Sequence, residues 1–453
     1  MRQTNFALAL LTAAALAACG GTGSSGGDQT HAVTFSQQVS FGDSLSDVGT
    51  YKVGAIAAAG GGTFTINGDN TSVNPAYTGK NWTEVLAAEL NLPKPCAAQT
   101  GLQGVDNANP ALDFNVPVVN YANCYNYAQG GSRVTDPIGS HHRTNDPQVG
   151  QLTVPLVTQI ANHLAKPNVN GKFSGTELVT VMSGGNDVLM QLGALSAGAT
   201  AAGTRAGQTA FPTLLVTGLV ATVPTANRAA APAAITTAVQ TAAAAGGNQQ
   251  TIAGAAVMAA INLQADPAAA QAAAAKAGTD AAAAGAKAGA DYAAAQGPAM
   301  VAALGKAGAE MAALVKTQIV AKGANYVVVN NLPDVASTPS GKAQSAETQV
   351  LIGAMVDAFN AQLKAGLGDD PKIAYVDLFS VSRDQVANPA IYGLTNTAQK
   401  ACTSDSSLTC TAKTLSAPDV SHYMFADDIH PTPYEYWLVT RYVLKDMAVK
   451  GWL

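Results

Sequence analysis

The stretch from Val39 to Tyr51 reads VSFGDSLSDVGTY. A short run ending at Phe41 has the character of a buried strand, and Gly42, Asp43 and Ser44 then break it with residues that suit a tight turn. Ser44 is thereby expected at the end of a strand. On a parallel sheet that corner opens on the crevice where such folds place their chemistry. Taken alone, Ser44 reads equally well as a turn serine or a helix N-cap.

Almost four hundred residues later the chain reads DDIHPT from Asp427 to Thr432. Asp427 precedes His430 by three positions, a spacing that lets both side chains meet on one turn. Activating a serine needs an imidazole to take the hydroxyl proton and a carboxylate to orient the ring. Spacing leaves two alternatives open: Asp428 as the orienting acid, and the pair Asp419 and His422, which are also three apart.

Two further segments stand between these ends. Asn126 to Ser132 reads NYAQGGS, and its paired glycines Gly130 and Gly131 let backbone come close to a bound group and turn an N–H toward it. Glu177 to Met182, ELVTVM, is a nearly unbroken apolar run that reads as a central parallel strand. SGGND from Ser183 to Asp187 follows at its C-terminal end, where the Asn186 amide could donate to charge building on a carbonyl oxygen. Either segment alone is also ordinary turn chemistry.

FGDSLSD, NYAQGGS, SGGND and DDIHPT, in that order, resemble the four blocks of the SGNH (GDSL) hydrolases. The likeness runs from about residue 38 to the C-terminus around one long insertion. It implies Ser44 as nucleophile, His430 as base and Asp427 as its orienting acid, with an oxyanion site made by Ser44, Gly131 and Asn186. It also ranks His430 above His422. By resemblance the fold is a three-layer αβα arrangement with a doubly wound, mostly parallel, flavodoxin-like sheet. The implied activity is carboxylic ester hydrolysis without metal or organic cofactor. NPAIYGL at Asn388 to Leu394 and Cys402 also resemble family features, and GDSLSDxG with that NPAIYGL most resembles the bacterial lipase, phospholipase and acyltransferase branch. Polysaccharide deacetylation and acyl transfer remain alternative enzyme readings, and a non-catalytic surface-binding lipoprotein is the alternative outside enzymology.

The composition bounds the class. Of 453 residues 12% are charged, and the net charge of −5 comes without a basic run, so nothing suggests binding to nucleic acid or to an anionic membrane surface. Residues 1–18 read as an export signal, with Arg2 ahead of the apolar run Phe6 to Leu16. Leu16 to Cys19 resembles a lipobox, which implies lipidation at Cys19 and anchoring at a bacterial outer membrane; cleavage of an ordinary secretory signal after Ala18 is the alternative. Membrane contact is expected only through that anchor. Residues 19–33 read as a flexible tether. The other four cysteines, Cys96, Cys124, Cys402 and Cys410, are an even number in an exported chain, so disulfides are expected, with the local pairs favoured because each closes a short loop. Zinc fits their spacing poorly.

Strand and helix signals alternate along the body: a helix over Asn81 to Leu92 with Trp82 in the core, a helix over Val154 to Lys166 with His163 on its surface, and a helix from Met300 to Ala321. Strands follow at Tyr326 to Val329 and Ile373 to Leu378, with helices at Val350 to Leu363 and Pro433 to Lys450. This alternation predicts an α/β fold with a doubly wound parallel sheet. Cys96 to Asn123 reads as irregular. Residues 191–298 are dominated by alanine and favour helix by propensity, with Phe211 to Val223 as the one strongly apolar part, broken at Pro212 and Gly218. Two readings of that insertion stand level: a cap beside the active site, and a low-complexity helical spacer.

Overall fold

In the computed structural model, residues 33–68, 74, 76–105 and 113–453 are described. The segments expected to be an export signal, the lipidated Cys19 and the tether up to residue 32 lie outside them. The chain is mixed α/β around a four-stranded parallel sheet in the order β1 (Gln38–Gly42), β4 (Leu178–Met182), β5 (Tyr326–Asn330), β6 (Ile373–Val376). On the far side of β1 the ladder continues as a single parallel bridge from Ser40 to Asn126, with Ser40 N donating to the Tyr125 carbonyl and Tyr127 N donating to the Ser40 carbonyl. The chain thus winds outward in both directions from β1. Ser44 stands at that reversal, beyond the carboxyl ends of the strands.

Strand residues alternate between two cores because successive side chains point to opposite faces. Val39, Phe41, Val179, Val181, Val327 and Val329 pack on one face against the helices Leu156–Leu164 and Ala346–Leu367 and the body end of two long helices. Leu178, Met182, Val328, Ala374 and Val376 pack on the other against Trp82 and Leu86 and against Tyr436, Val439, Val443 and Met447 of the helix Pro433–Val449. Three layers result, and Trp82 is in the core as expected.

The segment after Cys96 is more ordered than its composition suggests. Two strands form an antiparallel ribbon, β2 (Gln99–Gln103) with β3 (Asn115–Asn120), interrupted by a register shift. Disulfides join Cys96 to Cys124 and Cys402 to Cys410. A second small pair, β7 (Asn396–Lys400) and β8 (Tyr423–Phe425), leads into the turn from Asp427 to Thr432.

The alanine-rich insertion is no separately bounded unit. One helix runs unbroken from Gly185 to Thr222, and another from Pro267 to Leu314, so both pass straight through the ends expected at residues 191 and 298. Pro212 and Pro298 lie inside them, because side-by-side packing along the pair overrides local breaking propensity. The helices touch through small residues: a Cβ at Gly203 would stand 2.9 Å from the Gly285 carbonyl oxygen, and one at Gly289 would stand 3.1 Å from that of Ala199. Two shorter helices, Ala231–Ala244 and Gln249–Asn262, close the far end around Phe211, Leu215, Leu219, Ile235 and Val257. By length and apolarity Pro267–Val320 could cross a bilayer, yet 44% of its most apolar window is buried in this packing.

Candidate active site

Ser44 and His430 meet across the whole chain. His430 Nε2 stands 2.8 Å from Ser44 Oγ, and His430 Nδ1 stands 2.9 and 2.8 Å from the two carboxylate oxygens of Asp427. The turn that holds the acid is built from backbone: Ile429 N and His430 N donate to Asp427 Oδ1 at 2.9 and 2.7 Å, and Ser407 N donates to Oδ2 at 2.6 Å. Ser407 belongs to the short loop between Cys402 and Cys410, so that disulfide fixes a donor to the acid. Phe64 lies against the imidazole, ring centres 4.9 Å apart, and Thr65 Oγ1 donates to the Pro431 carbonyl at 2.9 Å.

Electrostatics follow from this burial and pairing. Burial alone would raise Asp427, but the charge and hydrogen bonds of His430 outweigh it and hold the carboxyl well below the usual range. Burial alone would lower His430, and the Asp427 charge and hydrogen bond outweigh that and raise it. The arrangement places a proton on Nδ1 against the carboxylate and leaves Nε2 to accept from the serine.

The oxyanion candidates converge on the same place. Ser44, Gly131, Asn186, Asp427 and His430 all line one cavity of about 370 Å³. Gly131 has φ +79°, and a Cβ there would stand 2.2 Å from the Ser140 carbonyl oxygen, so this position needs glycine. Asn186 is in the first turn of the helix that follows Gly184, whose φ of +116° and contact with the Phe359 ring likewise exclude a side chain. Its Nδ2 donates to the Ser132 carbonyl at 3.0 Å, which leaves a second amide hydrogen for another acceptor. Asp187 next to it binds Arg133 at 3.0 Å and accepts from Val134 N, tying the third block to the second.

Several residues that the sequence left unassigned complete the site. Asp47 accepts from Gly49 N, Thr50 N and Gly130 N, so one carboxylate joins the serine turn to the glycine loop. Gln159, on the helix Leu156–Leu164, grips both backbone polar groups of Gly42 at 2.8 and 2.7 Å. Asp43 is buried beside Ser44, and desolvation pushes it up to about 7. No spacing rule singles these out; only Asp43 stands next to a residue already marked.

The open alternatives separate on position. Asp428 is half-exposed and faces Lys400 at 3.7 Å. His422 lies away from the cavity lining, its Nδ1 3.0 Å from Ser421 Oγ and its ring against Tyr434. His163 corrects the expectation of a surface residue. It is fully buried, stacked on Phe173 at 4.7 Å with Nδ1 3.1 Å from Tyr127 Oη, and burial pushes it down to about 4. The register carried the signal: His163 follows Leu156 by seven residues and Ile160 by three, so it shares their buried face.

The insertion does not sit over the serine. No residue between 191 and 298 lines the cavity, whose lining passes from Leu189 to Leu332. Phe211, where the distal cluster begins, is 25 residues beyond Asn186, roughly 37 Å along a straight helix at about 1.5 Å per residue. It forms a projecting arm, and the expectation of a cap fails on that distance.

Among the described residues, no group of three or more His, Cys, Asp or Glu could hold a metal ion. No protein-family model matches the chain, and a search of the curated proteins finds no match either.

Proposed function

We propose that the chain is a serine-dependent carboxylic ester hydrolase working through an acyl-enzyme on Ser44, with an SGNH-type fold. The observation that carries this reading is the 2.8 Å contact of Ser44 Oγ with an imidazole whose other nitrogen is held by a buried carboxylate. Neutral His430 takes the serine proton through Nε2 as Oγ attacks the ester carbonyl. The tetrahedral oxyanion is held by Ser44 N–H, Gly131 N–H and the free hydrogen of the Asn186 amide. Collapse breaks the bond to the alkoxy group, which leaves as the alcohol with the proton from His430. Water then attacks the acyl-enzyme by the same route, freeing the acid and restoring Ser44.

Acyl or lipid esters are the favoured substrates, above acetylated sugars, because the cavity is walled largely by apolar side chains such as Leu45, Leu332, Val335, Met424 and Ile429. Two disulfides accord with an exported chain, and lipid anchoring through Cys19 remains part of the proposal. A fluorophosphonate probe tests the reading: the folded protein should be labelled on Ser44, and Ser44→Ala should not. A folded protein that stays unlabelled would overturn it in favour of a binding role.

A further inference from the structure

The cavity has a polar patch that the ester chemistry leaves unused. Gln385, on the helix Leu378–Ala387, and Glu435, in the first turn of Pro433–Val449, both line it amid Val381, Val386, Met424 and Val439. Both side chains are more than nine-tenths buried, at 0% and 4% exposure. Gln385 Nε2 donates to Glu435 Oε2 at 3.2 Å, while Gln385 Oε1 is buried without any hydrogen-bond partner.

A buried acceptor without a donor is costly, so a bound group that donates to it gains by binding there. Desolvation raises Glu435 to about 8, so at neutral pH it is an uncharged acid with a hydrogen to give. The patch therefore offers one hydrogen and one vacant acceptor, side by side in apolar surroundings. A hydroxyl group answers both at a single atom, since it can donate and accept. A plain alkyl chain answers neither.

We propose that Gln385 and Glu435 form a subsite for a hydroxyl carried on the acyl chain, so that the preferred substrates are esters of hydroxy fatty acids. The inference rests on the acyl-enzyme reading of Ser44. In the acyl-enzyme the chain leaves the ester carbonyl bonded to Ser44 Oγ and runs along the apolar wall, and its hydroxyl accepts from Glu435 and donates to Gln385 Oε1. The two residues act on specificity and take no part in bond making.

The test compares kcat/KM for p-nitrophenyl hexanoate with its 3-hydroxy and 6-hydroxy counterparts, alongside fluorophosphonate labelling of Ser44. At least one hydroxylated ester should be preferred by about tenfold or more, because a site built to bind a hydroxyl rejects the analogue that lacks it. Gln385→Leu and Glu435→Leu should each bring that ratio to about one, whereas Glu435→Gln, which keeps a neutral donor, should retain most of the preference. A labelled wild type that hydrolyses the plain ester at least as fast as both hydroxylated ones overturns the subsite and leaves the esterase reading intact. Parallel loss on all three esters in the leucine variants also overturns it, since a merely structural pair would act that way. A wild type neither labelled nor active on any ester removes both.

Discussion

At Val188 the helix leaving the sheet buries a branched side chain in the main core, and fifteen residues later, at Gly203, it lays bare backbone against Gly285. The body and the arm are thus held by opposite means. In the body, bulky residues fill the space between helix and sheet, and buried polar groups such as Asp47, Gln159 and Asp427 pin the loops. Along the arm, Ala199, Gly203 and Gly207 recur every four residues and meet Gly289, Gly285 and Ala281, so close backbone approach replaces side-chain filling. Its ion pairs, such as Lys276–Asp280 and Lys287–Asp291, are exposed and contribute little. Chemistry needs atoms fixed within fractions of an ångström, and the polar pinning sits where that demand is.

Four experiments sharpen this contrast, from the largest expected effect on turnover or stability to the smallest. Asn186→Ala should cost about a hundredfold in kcat through loss of one oxyanion donor, with the melting of the arm unchanged and that of the body lowered only by the lost bond to the Ser132 carbonyl, about 1–3 kcal/mol; a loss of only twofold in kcat would remove Asn186 from the mechanism. Acid should act next. His430 is raised above its ordinary 6.5 and must be neutral to accept from Ser44, so kcat/KM should fall about tenfold per pH unit below a midpoint above 6.5. The same pair links the body's stability to pH. The His430 contribution is full below its unfolded value and fades as pH rises through the folded one; that of Asp427, which is depressed, is full above 3.8 and fades as pH falls through its lower folded value. The arm lacks such a pair, and its hydrogen exchange should follow neither trend.

Leu215→Ala, in the fully buried distal cluster, should weaken the arm by about 2–5 kcal/mol and leave ester turnover alone. Exchange protection of residues 205–275 measures it, and a parallel fall in turnover would show the arm coupled to the site. The smallest effect belongs to removal of residues 200–288 with a short glycine linker between Ala199 and Gly289, whose backbones already touch. Hydrolysis of short acyl esters should stay within roughly twofold, as expected for a change distant from the reacting atoms. A larger loss would bring back a role for the arm at the cavity.

Much of the body can be read from residue order. Apolar runs mark β4 and β5, the three-residue interval marks Asp427 and His430, and Gly131 and Asn186 stand in segments whose glycines have a backbone reason to be there. What escapes is what depends on contact across the chain. Alanine is equally at home on a buried and an exposed helix face, so the arm carries almost no periodic signal, and its packing depends on atoms that glycine lacks. Asp47 and Gln159 look like ordinary polar residues until the backbone groups they hold are in view. The β2–β3 ribbon is missed because β3 is mostly exposed and carries Pro117, so its alternation is weak.

The partners Ser44 and His430 are separated by 386 positions, a distance with a temporal side. During synthesis Ser44 emerges first, and His430 follows only after every helix of the arm has been made. A product broken off anywhere between the two carries the serine without its imidazole partner. On the proposed reading, such partial copies are inert toward esters, and turnover waits until His430 has joined the fold.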